Sequence, residues 1–155
     1  MSNISAQDSQ QALLDNRNIL VVDDEEPIRR LLGYMLQTHG YSVTLAADAR
    51  EARQRMDEQP YALMLCDVNM PDLDGRSVVS CIRENIELSR TPIIYLSARS
   101  EPELIRECMT LGGDDYLIKP TAPETLVATI KARLARRDQL QRPGPVPPAL
   151  QHARR

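Results

Sequence analysis

Residues 62–75 read ALMLCDVNMPDLDG, and this stretch predicts the central strand of the molecule. Five residues that suit a buried strand, 62–66, are followed directly by Asp67 and then by a turn rich in Asp, Pro and Gly. An apolar run of this length between turn residues is typical of a strand covered on both faces of a parallel sheet. Ligands of such sheets bind at the carboxyl ends of the strands, so Asp67 is predicted to lie where a functional site forms.

The chain before this stretch predicts two strands, each followed by a helix. The predicted elements are a strand at 18–22, a helix that ends near Gly40, a strand at 41–46 and a helix at 48–59. Pro27 suits the first turn of the first helix, where its missing N–H costs nothing. The apolar face of that helix repeats with helical period through Ile28, Leu31, Leu32, Met35 and Leu36.

The chain after the stretch continues the same alternation. The predicted elements are a helix at 76–85, a strand at 93–96, a helix that ends at Gly112-Gly113, a strand at 116–118 and a helix to about residue 138. Ser100 with Glu103, and Thr121 with Glu124, have the spacing of capping boxes that open the last two helices. Five strands that alternate with five helices, each strand too apolar for a one-sided sheet, predict a doubly wound parallel α/β domain.

Composition limits the classes of protein to consider. A chain of 155 residues suits one domain, and its net charge of −3 becomes −6 over residues 1–138, since residues 139–155 carry three arginines and no acid. An acidic body argues against nucleic acid as a direct ligand. No apolar run approaches the roughly 20 residues of a membrane span, and a signal peptide is not evident. The three cysteines lack CxxC spacing, which is typical of reduced thiols in the cytoplasm.

Polar residues follow the predicted strands with regularity. Asp23 and Asp24 follow the first strand, Asp67 the third, Ser97 the fourth and Lys119 the fifth. Because these strand ends share one edge of the sheet, three carboxylates would meet there and repel one another. A hard divalent ion with oxygen ligands, Mg²⁺, relieves that repulsion. A lysine and a hydroxyl facing the same ion make a site for a phosphoryl group, and a carboxylate in that setting can form an aspartyl phosphate.

Four motifs in combination carry a resemblance to a known family. They are VVDDEEP, CDVNMPDLDG, YLSA and DDYLIKP, within residues 18–138. On these residues the chain resembles the receiver domain of bacterial response regulators, including the single-domain chemotaxis type. The resemblance implies a flavodoxin-like sheet with strand order 2-1-3-4-5.

The resemblance also implies a role for each residue of the site. It makes Asp67 the phosphoacceptor, gives Mg²⁺ the ligands Asp23, Asp24, Asp67 and the backbone carbonyl of Asn69, and makes Ser97 the switch hydroxyl, Tyr116 the rotating aromatic and Lys119 the phosphate-binding lysine. It further implies a cis Lys119-Pro120 bond, and it places Asn69 and Arg99 where family members tune the lifetime of the phosphate.

Several of these residues have a plainer interpretation. Asp23 and Asp24 also suit the cap of the first helix, and Tyr116 also suits a fixed core or interface aromatic. The run GGDD at 112–115 is faintly similar to the diguanylate-cyclase signature, but its position before a strand favours a helix C-cap and turn. The basic run 131–137 lies at a helix C-terminus and is interpreted as a solvated face.

Three classes of function fit the residues. The first is a switch: with Mg²⁺, a sensor histidine kinase or a small phosphodonor donates a phosphoryl group to Asp67. Ser97 and Lys119 then follow the phosphate and shift the face of the fourth helix, fifth strand and fifth helix. Such a domain catalyses its own phosphorylation and dephosphorylation and is not a turnover enzyme. The second is a haloacid-dehalogenase-like phosphatase, which Asn69 disfavours because an amide cannot replace the general-acid Asp. The third, a module that is not phosphorylated, is disfavoured because every site residue is present.

The organisation predicted around this switch has three parts. Residues 1–17 are expected to form a flexible leader, 18–138 the receiver domain, and 139–155 a Pro-rich flexible tail or a truncated linker. The expected partners are the kinase and an output protein or a C-terminal effector domain outside this chain. A homodimer is left open, although Thr121 stands where winged-helix regulators of the family usually have Phe. No direct nucleic-acid or membrane partner is expected, and the location is predicted to be cytoplasmic.

Overall fold

Strands and helices alternate along the whole part of the chain that the structure, a computed structural model, describes: residues 17–69, 75–85 and 88–141. The elements are β1 (Asn18–Val22), α1 (Glu26–Thr38), β2 (Ser42–Ala46), α2 (Ala49–Glu58), β3 (Leu63–Cys66), α3 (Gly75–Glu84), β4 (Ile93–Ser97), α4 (Pro102–Leu111), β5 (Asp115–Ile118) and α5 (Pro123–Gln141). The predicted leader, apart from Arg17, and the predicted tail from residue 142 lie outside the described residues.

The five strands form one parallel sheet in the order β2-β1-β3-β4-β5, which confirms the predicted fold class and strand order. The register matters for function, because Val22 of β1 pairs with Cys66 of β3. The residues that follow these two are Asp23 and Asp67, so the register sets both carboxylates side by side at the carboxyl edge of the sheet.

Helices cover both faces of the sheet, and each face has its own apolar core. On one face, α2, α3 and α4 contribute Ala49, Ala52, Met56, Val78, Val79, Ile82, Leu104 and Cys108. On the other face, α1 and α5 contribute Leu36, Leu126, Ile130 and Leu134. At roughly 25 cal/mol per Å² of apolar surface removed from water, these two layers are the main stabilising term of the fold.

One residue of a predicted apolar face is exposed, and two predicted capping residues are wrong. Leu31 is 67% exposed and does not join the core, because the apolar stripe of α1 is wider than the row of residues that the sheet covers. Helix α4 begins at Pro102 with Glu101 as its N-cap and no side-chain cap, so Ser100 is not a capping residue. The hydroxyl of Thr121 donates to the carbonyl of Ile118 (2.7 Å), and α5 begins at Pro123. Both helices begin at a proline because its fixed φ suits the first helical turn.

The GGDD run is a helix end and a turn, as interpreted from the sequence. Gly112 is the C-cap of α4 with a φ of 128°, a conformation that favours glycine. A Cβ on Gly113 would lie 2.6 Å from the ring of Tyr95, so the turn packs directly on the sheet. The carboxylate of Asp114 accepts the N–H of Ile93 (2.8 Å) and thereby ties the start of β5 to the start of β4.

Candidate functional site

The candidate site lies at the carboxyl edge of the sheet, where β1, β3, β4 and β5 end. The backbone N–H of Asp67 donates to the carbonyl of Val22 (2.9 Å), and the N–H of Asp23 donates to that of Ala46 (3.1 Å). These bonds continue the ladders one residue past the strands and hold both aspartates firmly. Asp23 is 2% exposed and Asp67 is 6% exposed, so both carboxylates are buried, whereas Asp24 is exposed.

Three carboxylates converge at this edge. One oxygen from each of Asp23, Asp24 and Asp67 lies within 4.8 Å of the other two. Hard oxygen donors at this spacing fit Mg²⁺, which takes one or two carboxylates along with water and phosphate oxygens. The alternative that these aspartates cap α1 is wrong, because the N-cap is Glu25 and its end has no side-chain cap. Asp23 instead accepts the N–H of Glu25 (2.9 Å) in the turn before the helix.

Lys119 lies against two of these carboxylates. Its ammonium donates to Oδ2 of Asp23 (2.6 Å) and contacts Oδ2 of Asp67 (3.4 Å). Burial lowers the pKa of Lys119, but the hydrogen bond with Asp23 and the charges of both aspartates outweigh burial and raise it. The lysine is therefore charged across the physiological range. The Lys119-Pro120 peptide bond is cis, as the resemblance implied.

The pKa of the Asp67 carboxyl is raised above its ordinary value of 3.8. Burial is the largest cause, and the charge of Asp23 adds to it, while the charge of Lys119 and the N–H of Asn69 oppose it. An acid with a higher pKa in the folded than in the unfolded chain binds its proton more tightly when folded. Folding stability therefore falls as the pH rises from 3.8 through the folded-state pKa of this group.

Replacing Asp67 with Asn is accordingly expected to raise the free energy of unfolding at pH 7 in metal-free buffer. The amide keeps the shape of the side chain and removes a buried negative charge from beside Asp23. The gain should shrink as the pH falls below 3.8, where the wild-type carboxyl is protonated in both states. Urea unfolding of both proteins at about pH 7 and about pH 3 measures this difference. A loss of stability at neutral pH would contradict it.

Ser97, Arg99, Asn69 and Tyr116 form a connected polar group next to the carboxylates. The fully buried Oγ of Ser97 accepts the backbone N–H of Arg99 (3.2 Å). The guanidinium of Arg99 donates to the side-chain oxygen of Asn69 (3.3 Å) and pairs with Glu101 (3.3 Å). The hydroxyl of Tyr116 donates to the carbonyl of Arg99 (2.7 Å). A ligand that moves the Ser97 hydroxyl would therefore also disturb the segment that holds Tyr116.

A groove of about 730 Å³ opens beside the site. Asp24, Asp67, Asn69, Ser97 and Lys119 line its polar end. Its apolar wall is formed by α1 and the β5–α5 loop, through Ile28, Leu31, Leu32, Met35, Pro120 and Pro123. This wall was not predicted from the sequence, where Leu31 was placed on the apolar face of the first helix without a surface groove being inferred. The signal available was the stripe of five apolar residues, more than one helix of this length needs for a single buried row.

The structure brings six of the seven predicted site residues to one place. Asp23, Asp24 and Asp67 cluster with Lys119, and Ser97 and Asn69 line the same groove. Tyr116 does not line the groove, but its hydroxyl donates to the carbonyl of Arg99 and its side chain also interacts with that of Ser97. Its ring lies 6.0 Å from that of Tyr95, centroid to centroid.

A family model and curated relatives match most of this chain. The family model described as the response regulator receiver domain matches residues 19–131. The transcriptional regulatory protein SrrA of Staphylococcus aureus is 38% identical over 121 residues, which are 78% of this chain and 49% of that protein. The chain thus spans about half the length of the curated relatives it matches.

Solved structures of receiver domains are similar to about three quarters of this chain. The chemotaxis protein CheY4 of Vibrio cholerae is 36% identical, with a TM-score of 0.71 over 74% of this chain and 96% of that one. A CheY-like receiver domain from Methanospirillum hungatei is 26% identical, with a TM-score of 0.75 over 79% of this chain and 97% of that one. None of the described helices is long and apolar enough to cross a bilayer. The matched segment, the strand order and the extent of these similarities show that the chain belongs to the response-regulator receiver family of two-component signalling, a family of signalling domains and not of turnover enzymes.

Proposed function

We propose that this receiver domain accepts a phosphoryl group on Asp67 from the phosphohistidine of a sensor histidine kinase, in a reaction that requires Mg²⁺. The observation that carries the proposal is the placement of Asp67. Its buried carboxylate lies at a sheet edge, beside two further aspartates and 3.4 Å from the ammonium of Lys119. In a chain of this family, that arrangement supplies a nucleophile together with the charges that a phosphoryl group needs.

The transfer is a displacement at phosphorus. A carboxylate oxygen of Asp67 forms the new P–O bond while the P–N bond to the donor imidazole breaks, and the electron pair stays on the imidazole nitrogen, which takes up a proton. Lys119 holds its positive charge at the oxygens of the incoming group. Asp23, Asp24, Asp67 and the backbone carbonyl of Asn69 would hold Mg²⁺. The bound ion would neutralise charge on the phosphoryl oxygens during transfer.

The phosphorylated state is read through Ser97 and Lys119. A phosphoryl group on Asp67 offers new acceptors to the Ser97 hydroxyl and to the ammonium of Lys119. Movement of Ser97 releases its bond to the N–H of Arg99, and the carbonyl of Arg99 holds Tyr116. The result is a population shift on the face formed by α4, β5 and α5. That face would control an output protein, an attached effector domain or a second copy of the chain, in the cytoplasm.

The groove beside Asp67 is the proposed docking place of the kinase. Its apolar wall includes Leu31, which is 67% exposed on α1, and its polar end reaches Asp67 itself. An apolar wall next to a polar reaction centre suits a partner that must seat before transfer and leave afterwards. A small donor needs no such wall.

Leu31→Glu is therefore expected to slow transfer from a kinase by about tenfold or more, since it places a charge in the apolar wall. Its rate with acetyl phosphate should stay at the wild-type value. The phosphodonor is chosen from a panel of purified histidine kinase cores as the one that phosphorylates the wild type fastest. The rate of transfer is measured with radiolabelled phosphate. Met109→Glu, at a 38% exposed position on α4, is the matched control and should transfer normally. Equal slowing of both variants would contradict the assignment of the groove.

The proposed function itself is tested with acetyl phosphate and mass spectrometry of the intact protein. We expect one phosphoryl adduct that needs Mg²⁺, resists acid, decays in base and maps to Asp67 after reductive trapping. No adduct on folded protein would refute the proposal. Release of phosphate from monoesters over many turnovers would instead favour a phosphatase.

A further inference from the structure

A second cavity lies at the amino-terminal ends of the strands, whereas Asp67 lies at their carboxyl ends. It has a volume of about 600 Å³ and is bounded by Pro92 before β4, by the Gly112–Asp114 turn before β5 and by the second half of α5. Strands of four or five residues separate it from the candidate site, a distance of roughly 15 Å. Five arginines line it: Arg83, Arg90, Arg133, Arg136 and Arg137. We call it the arginine pocket.

Two of these arginines are fixed by the domain itself. Arg83 donates to the carbonyls of Ser89 (2.7 Å), Thr91 (2.8 Å) and Gly112 (2.6 and 2.9 Å) and to the carboxylate of Asp114 (3.0 Å). These bonds use all five N–H groups of its guanidinium. Arg133 pairs with the carboxylate of Asp115. Both arginines therefore form a rigid floor of the pocket. Each is paired with an acid of the domain, Arg83 with Asp114 and Arg133 with Asp115.

Arg90 and Arg136 give the pocket a positive excess. Arg90 and Arg136 are exposed, and the guanidinium group of neither makes an ion pair or a hydrogen bond within the described part of the chain. Arg137 is half-buried and reaches the carbonyl of Ala62 (3.4 Å). Asp114 is the one acid that lines the pocket within the described residues. This concentration of cations stands in a protein whose residues 1–138 sum to −6.

We propose that the arginine pocket binds a small phosphate-bearing ligand of nucleotide size, and so gives this receiver domain an input separate from Asp67. One guanidinium group can donate two N–H groups to two phosphate oxygens. Arg90, in the loop before β4, and Arg136, on α5, both line the pocket and are exposed. The inference rests on the convergence of the loop before β4, the turn before β5 and α5. Residues 131–137 alone suggested only a solvated face.

A small ligand fits the shape better than nucleic acid does. The volume lies in the range of small-molecule sites, about 300–1,000 Å³. A duplex would need a broad basic surface, whereas the body of this domain is acidic and would repel it beyond the pocket. Gly112 and Gly113 line the pocket beside the guanidinium of Arg83, which the carbonyl of Gly112 helps to hold in place.

Isothermal titration calorimetry of the full chain with ATP and with pyrophosphate tests the proposal, without Mg²⁺ so that the carboxylate site takes no part. We expect saturable binding at one site per chain. Arg90→Gln/Arg136→Gln should weaken it by at least about tenfold, because each arginine contributes a charge-assisted hydrogen bond. Arg53→Gln/Arg106→Gln removes two exposed arginines from α2 and α4 and is the matched control. It should bind as the wild type does.

Three results would overturn the proposal. Failure of the wild type to bind either ligand saturably would leave the pocket without the proposed role. Equal weakening by both double variants would assign the binding to overall charge. Tighter, strongly salt-dependent binding of a short DNA duplex would replace a small ligand with nucleic acid. Phosphorylation of Asp67 by acetyl phosphate is measured separately and fails or succeeds independently, since Arg90 and Arg136 lie at the other edge of the sheet.

Discussion

Protein that carries Asn in place of Asp67 is expected to take up no phosphoryl group from acetyl phosphate and Mg²⁺. The amide has nearly the size and shape of the carboxylate, but it lacks the anionic oxygen that attacks phosphorus. Asp23 and Asp24 remain in place, yet Asp23 is bonded to Lys119 (2.6 Å) and to the N–H of Glu25 (2.9 Å). Neither neighbour is expected to replace the missing nucleophile, so the loss should be complete within the sensitivity of intact-protein mass spectrometry.

The control for this loss is Asp57→Asn, which changes an exposed aspartate on α2 outside the site and should be phosphorylated normally. Unfolding measurements distinguish a chemical defect from a folding defect. The Asp67 variant should be at least as stable as the wild type at neutral pH, because the raised pKa of Asp67 reflects the cost of its buried charge. An adduct formed at the wild-type rate would show that another residue accepts the phosphoryl group.

Gly75→Ala is expected to lower the free energy of unfolding by about 2–4 kcal/mol. A Cβ on Gly75 would lie 2.1 Å from the carbonyl oxygen of Asp67 and 3.1 Å from the sulfur of Cys66. The first of these is a backbone atom, which cannot move without moving Asp67. The same substitution should therefore also slow phosphorylation by acetyl phosphate, because moving Asp67 changes the distance between its carboxylate and the ammonium of Lys119.

Gly33→Ala is the matched control for this substitution. Its Cβ would meet the end of the Leu45 side chain 3.2 Å away and that of Val43 at an ordinary contact distance of 3.8 Å, and alanine favours the helix by about 1 kcal/mol. We expect little change in stability and normal phosphorylation. Urea unfolding and acetyl phosphate kinetics on the two variants and the wild type measure both effects. Equal stability of Gly75→Ala and the wild type would mean that the α3 start relaxes away from Asp67.

The fold could be predicted because its signals are local. Each strand is an apolar run short enough to be bounded by turns, and each helix has an apolar stripe with a proline or glycine near one end. The candidate site could be predicted for a related reason. The carboxyl ends of parallel strands share an edge, so Asp23, Asp67 and Lys119 had to meet wherever the sheet formed.

The parts that could not be predicted depend on contacts between distant segments. The exposure of Leu31 follows from how far the sheet extends under α1. Helix α4 begins at Pro102 and α5 at Pro123, not after a cap at Ser100 or Thr121. The sequence offers a hydroxyl residue and a proline near each start and does not decide between them. The arginine pocket joins Arg83, Arg90 and Arg136 from three separate segments, and no spacing along the chain signals that they converge.

The two ends of the sheet carry opposite charge, aspartates at one edge and arginines at the other. These two clusters therefore contribute a separation of charge along the direction of the strands. An approaching surface of either sign exerts a torque that turns one particular end toward it before contact, which raises the fraction of productive encounters. A phosphoryl group on Asp67 would add negative charge at the aspartate end and so increase this separation of charge. The modification would thus change how the molecule orients at a distance as well as the contacts it makes on arrival.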